Sequence, residues 1–368
     1  MQRTCFLIFL LILLTARATL SQKGYLQRAD LLTMVEKGLL HTYNFQFEEA
    51  RRYQSKLEEE TPDHPVPPFM EALIIYWENF PLQPGTADGE RFINLMELSV
   101  ERAQSMIDSK NLHMEGVFFD LFGRAFQAMF WADNGKAARV VPDLPIMYRR
   151  TTEGFDLKEQ FVEFYFSTGL YNYYIEAYPE AHPVYKPLVS FMQPGNKNLG
   201  LRQLNHAIQH TVFLRVESML FMSLIQLNYE NDLNSASIYA TKLYNEYPAN
   251  VYYQGLMVII LLHQHRYEKV RQELSSIAHQ DHPYSNMILT VAEAFMNEKV
   301  NRNDRSAERG YQKTLEQADS FGPIADMFQA IAYRGLARLN NRQGHTRDAR
   351  RYERKAEDKT VYRFILEE

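Results

Sequence analysis

The sequence predicts an all-α protein, a solenoid of about six or seven antiparallel helix pairs wound into a right-handed superhelix. Three observations predict it. Two stretches, NDLNSASIYATKLYNEYPAN from Asn231 and HQHRYEKVRQELSSIAHQDHP from His263, superpose at a shift of 34 residues. Apolar residues within each recur three and four apart, the spacing of one helix face. Nowhere does period-two alternation meet Asn-Gly or Asp-Gly hairpin turns.

The chain opens with MQRTCFLIFLLILLTARATLSQ. Arg3 forms a positive n-region, Cys5 to Leu14 an apolar run, and Ala16-Arg17-Ala18 a small-residue cleavage site, the three parts of a secretory signal peptide. Cleavage after Ser21 fits equally well. The apolar run falls well short of the roughly 20 residues that span a bilayer core. We therefore expect a signal peptide over 1–21, an exported protein of the periplasm or cell envelope, and no transmembrane span after leader removal.

The sole cysteine, Cys5, lies in this leader, so the mature chain is expected to hold neither a disulfide framework nor a thiolate site. The formal net charge of -5 argues against a nucleic-acid partner, which needs a basic footprint.

In the repeat, Ala236 falls on Val270, Leu243 on Ile277, Leu233 on Tyr267, Leu227 on Leu261 and Pro248 on His282. A small residue such as Ala236 lets two helices approach, and a proline ends the second helix. The pattern resembles the tetratricopeptide repeat (TPR) family, of the exported bacterial type. That family places Gly or Ala in its first helix, Ala opening the second, another Ala seven residues on, and then Pro. Gly38, Phe47, Ala50 and Pro62 match near the N-terminus, with Leu57 departing from the second Ala. Gly344, Ala349 and Ala356 match near the C-terminus, and Gly200 takes the opening Ala position in GNKNLGLRQLNHA. Phe161 to Ala207 is also similar to eukaryotic TPR proteins linked to inclusion-body clearance.

Between about 65 and 165 the repeat is irregular. Helices are still expected in FFDLFGRAFQAMFWA and FVEFYFSTGLYNYYIEA, with linkers in PLQPGTADG, NGKAARVVPDLP and EAYPEAHPVYKP. A further helix is expected through SAERGYQKTLEQA. We place an N-terminal helical region at 22–160 and a C-terminal one at 161–368, with no sharp boundary.

No nucleophile elbow, P-loop or dinucleotide fingerprint occurs, so the chain is expected not to be an enzyme and to need no cofactor. His206 and His210 share a helix face, but Ala207 stands where a metalloprotease would carry Glu, and a polar surface explains the pair as well. His263, His265, His279 and His282 form a looser group spread over turns at opposite helix ends.

The resemblance implies binding of a protein or peptide partner in the concave groove. Arg334, Arg338 and Arg342 are spaced by four, forming one stripe with Asn341 nearby, in a stretch with eight basic and two acidic residues. TPR proteins that hold acidic peptide ends use basic and Asn side chains at such positions, so an acidic segment is the expected contact; a solvated face is the alternative. Phe221, Asn228 and Tyr252 fall on first-helix positions that line the groove, or that pack the core. The second functional reading is a nutrient- or glycan-binding protein of the cell envelope.

Overall fold

A computed structural model describes residues 24–277 and 281–368. The leader expected over 1–21 and His279 lie outside the described residues. No strand occurs among the described residues.

Among the described residues the helices of ten or more residues number sixteen, each packing on the next. In order, the pairs are α1 (Ala29–Tyr43) with α2 (Phe47–Glu60), and α3 (Val66–Glu78) with α4 (Ala87–Ile107). Next come α5 (His113–Asp133) with α6 (Leu144–Leu157), and α7 (Phe164–Ala181) with α8 (Lys197–His210). Then follow α9 (Arg215–Asn228) with α10 (Leu233–Glu246), and α11 (Val251–His263) with α12 (Tyr267–Ser276). The last are α13 (Pro283–Lys299) with α14 (Asp304–Ala318), and α15 (Asp326–Arg342) with α16 (Thr346–Glu357). The fold is thus an all-α, solenoid-like stack. Its eight pairs exceed the expected six or seven because α4 and α5, of 21 residues each, break the sequence period without breaking the packing.

The 34-residue register holds in three dimensions. Leu233 and Tyr267 are the first residues of α10 and α12. Ala236 and Val270 are both fully buried. Asn231 and His265, also 34 apart, both take left-handed backbone, at φ 53° and 56°. That conformation marks the turn inside most pairs. Phe45, Gly85, Gly135, Asn231, His265, Arg302 and Gly344 all have positive φ, and each lies two residues before the next helical segment. A single left-handed residue reverses the chain, as at helix C-termini generally.

Local chemistry starts the helices. Asp232 caps α10 by accepting from the Asn234 and Ser235 N–H groups, both at 3.0 Å. Asn250 caps α11 in the same way. The apolar run at Val251 becomes α11, buried at every position except Tyr252. Gly200 shows why a small residue stands at a crossing. A Cβ there would lie 2.7 Å from the Gly169 carbonyl oxygen and 2.7 Å from the Tyr173 nitrogen, both backbone atoms of α7.

Two expected linkers are structured. Pro179 lies inside α7, its ring buried, so the helix continues to Ala181. Burial of the ring offsets the missing N–H. The segment after α5 winds as a 3-10 helix, Ala137–Asp143, leading into α6.

One hydrophobic core runs from Leu26 to Ile365 and crosses the 160 region, where Phe118 meets Phe161 at 5.4 Å. The first pairs also reach the later ones. Trp77 packs on Tyr253 at 5.8 Å, Phe80 on Tyr284 at 5.2 Å and Phe69 on Phe213 at 6.3 Å. Asn250 Nδ2 donates to the Tyr43 carbonyl at 3.3 Å, and Asn44 Nδ2 to that of Glu246 at 3.1 Å. The stack therefore closes on itself.

Candidate functional site

These contacts leave a partly open cavity of about 430 Å³ on the inner side of the stack. Its walls come largely from the first helix of each pair. Tyr76 and Trp77 come from α3, with Phe80 just beyond it; Phe126, Met129 and Asp133 come from α5. Along α9, Glu217, Leu220, Phe221, Leu224 and Asn228 form one stripe at helical spacing. Tyr252 and Tyr253 begin α11. Asp326 and Met327 begin α15, and Lys359, Thr360 and Tyr362 close the cavity after α16.

The rings meet mostly edge to face. Phe80 and Tyr252 lie 5.8 Å apart at 77°, Trp77 and Tyr252 6.5 Å apart at 62°, and Tyr76 and Trp77 5.3 Å apart at 89°. Such pairs favour a fixed geometry.

Three of the polar side chains in the lining are carboxyl groups, those of Asp133, Glu217 and Asp326. Asp133 Oδ2 accepts from the Tyr76 hydroxyl at 2.9 Å. Burial pushes its carboxyl up to about 6, and the Tyr76 hydrogen bond draws it back. Glu217 Oε1 accepts from the Tyr43 hydroxyl, while its buried Oε2 has no partner among the described residues. Burial pushes Glu217 up to about 7. The buried Asn228 Oδ1 likewise has no partner. The cation of the lining, Lys359, is paired with Asp326 at 2.8 Å. Buried polar atoms ordinarily find partners, so unpartnered acceptors around a cavity mark a place where a ligand's donors can serve.

Glu163 sits behind the α9 stripe. Its carboxylate accepts the N–H groups of Val212, Phe213 and Leu214 at 2.7, 3.1 and 3.1 Å and so anchors the start of α9.

The structure brings Phe221, Asn228 and Tyr252 together in this cavity. Arg334, Arg338, Asn341 and Arg342 lie elsewhere, on α15. Arg338 places Nε and Nη2 on the two oxygens of Glu298, at 2.8 and 2.7 Å. Arg342 reaches Glu298 at 3.1 Å and Asp304 at 2.9 Å. Asn341 donates to Glu353 at 3.4 Å. Two of the three arginines are thus held by carboxylates of the same chain. Arg334 Nε is buried without a partner among the described residues.

Sequence reasoning missed Asp133 and Glu217. Each is a lone carboxylate on an otherwise apolar or aromatic helix face, and that was the available signal. The rings of His206 and His210 lie 4.3 Å apart, tilted by 41°. His263 is buried between Phe295 and Phe364, with burial pushing it down to about 4. His265 meets the Tyr267 hydroxyl, and His282 Nε2 donates to the Phe80 carbonyl. Among the described residues no three His, Cys, Asp or Glu side chains converge as a metal site, and no helix is long and apolar enough to cross a membrane.

No known protein family matches this chain, and no curated protein matches it in sequence.

Proposed function

We propose that this chain is an exported, non-catalytic binding protein of TPR type that holds a small molecule in the partly open cavity on the inner side of its solenoid. The observation that carries this reading is the narrowing of the inner face to about 430 Å³, walled by rings and edged by unpartnered acceptors. That volume falls in the range of small-molecule pockets, which are mostly apolar with a few placed polar groups. The exported location rests on the leader motif, and the TPR assignment on the 34-residue period with its small residues at Gly38, Ala50, Ala236 and Ala349.

The test is calorimetric titration with small amines, carboxylates and oligosaccharides, on the native chain and on Leu224→Trp, which fills the cavity. Saturable binding that Leu224→Trp abolishes is the expected result. Binding that survives the filled cavity, or none across all classes, overturns the reading.

A protein partner with an acidic segment remains the second reading, favoured by one observation. On α16, Arg347, Arg350, Arg351, Arg354 and Lys355 are all exposed. Charge reversal at Arg347, Arg350 and Arg354 that left partner capture unchanged would sink it.

A further inference from the structure

We propose that the inner cavity takes an organic ammonium ion, its charged head against Asp133 and within the rings of Tyr76, Trp77, Phe80 and Tyr252. This rests on the small-molecule reading above and names the ligand class of that site.

Asp133 stands at the end of α5, half-buried, with one hydrogen bond among the described residues, from Tyr76. It forms no ion pair among the described residues. A carboxylate partly withdrawn from water gains from a cation beside it. Titrating near 6, Asp133 carries its charge at neutral pH, so it faces the cavity as an unmatched anion. Its field also reaches the Tyr252 hydroxyl.

The rings around it supply the second half of the argument. Ring faces carry negative quadrupole density, and aromatic walls attract quaternary and primary ammonium groups most strongly where water is excluded. Trp77, the best such surface, meets Phe80 at 5.4 Å and Tyr252 at 6.5 Å. These rings, with Tyr76, bound the same cavity as Asp133.

The remaining groups fit the same ligand. Lys359 is neutralised by Asp326, so it offers little to an anion. The free acceptors of Glu217 and Asn228 suit N–H or O–H groups at the ligand's other end. Leu220, Leu224 and Met327 give its apolar body a surface. An anionic ligand would instead face the carboxyl groups of Asp133 and Glu217.

The experiment is calorimetric titration of the full chain with choline and tetramethylammonium, against neopentyl alcohol as a neutral probe of similar shape and pivalate as an anion. The ammonium probes are expected to bind roughly 10- to 100-fold tighter than neopentyl alcohol. Asp133→Asn should remove that preference, and Tyr252→Ala should weaken it. A readout on the unmodified chain covers the case where a variant fails to fold. Near pH 6 an arriving cation expels the Asp133 proton, so the binding heat should vary with the ionisation enthalpy of the buffer. Equal affinity for choline and neopentyl alcohol, a preference for pivalate, or full choline affinity in Asp133→Asn overturns the ammonium assignment and leaves the small-molecule reading standing. Choline binding that survives Leu224→Trp overturns both. If no probe binds, the ammonium assignment fails, and the wider panel above decides the small-molecule reading.

Discussion

Tyr43 and Glu217, 174 residues apart in the chain, meet at the centre of the molecule, the tyrosine hydroxyl donating to Glu217 Oε1. This contact ties the first helix pair to the fifth. Tyr43→Phe removes the donor and leaves a buried carboxyl with neither oxygen bonded. The expected cost is about 1–3 kcal/mol, read as a lower urea midpoint with an unchanged slope. An unaltered midpoint would show that closure does not depend on this bond.

Glu217 also makes stability depend on pH. Burial raises it from 4.5 to about 7 and raises Asp133 from 3.8 to about 6. The folded state keeps these protons where the unfolded chain releases them, so stability falls as pH rises through that window and levels off above it. Glu217→Gln should flatten its share of the slope, about 1–3 kcal/mol between pH 5 and pH 8. Urea midpoints of the native chain and of Glu217→Gln at those two values test the sign: the native chain should lose more, or gain less, from pH 5 to pH 8, because His263, held near 4 by burial, pulls the other way in both, and equal changes contradict it.

Glu298 is fully buried and accepts from Arg338, Arg342 and Tyr311. Arg338 and these other donors hold it below the usual carboxylate range. Glu298→Ala strands the largely buried Arg338 charge, with an expected loss of about 3–5 kcal/mol. Thermal unfolding measures it. Glu298→Ala combined with Arg338→Met should recover much of that loss, since no isolated charge remains.

Gly200→Ala is a change that helix propensity favours by about 1 kcal/mol. Here the added methyl meets backbone of α7 on two sides, at 2.7 Å. The helices must separate, so a net loss of about 1–3 kcal/mol is expected in chemical denaturation. A stabilised protein would mean that α7 and α8 part without resistance.

Gly344 tests the turn between α15 and α16. Nothing lies within 4 Å of a Cβ placed there, so its φ of 79° is the only obstacle to a side chain. Gly344→Ala should cost about 1–2 kcal/mol, and Gly344→Asn less, because Asn tolerates left-handed backbone. Equal melting temperatures for the two variants would refute this account.

The helix pairs were legible wherever the period survived. Leu233 and Tyr267 open equivalent helices as their 34-residue shift requires, and the run at Val251 is a buried helix. Between about 65 and 165 the longer α4 and α5 hid the register, so one or two pairs went uncounted. The cavity was legible only in part. Phe221, Asn228 and Tyr252 follow from their place in the repeat. Asp133 and Glu217 did not, because local pattern cannot show that a lone carboxylate faces a cavity. The arginine stripe shows the opposite failure. Its spacing was plain, but Glu298, 40 residues before Arg338, lies on a different helix.

In an open row of repeats each unit feels only its neighbours, and such a chain can gain or lose a unit at little harm. This row cannot. The Asn250–Tyr43 and Phe80–Tyr284 contacts join units far apart in sequence, so one inserted or deleted pair would swing the two halves past each other and pull the seam open. The number of repeats is therefore set by the geometry of the seam, and an internal deletion of one whole pair should collapse the protein as a unit instead of leaving it shorter.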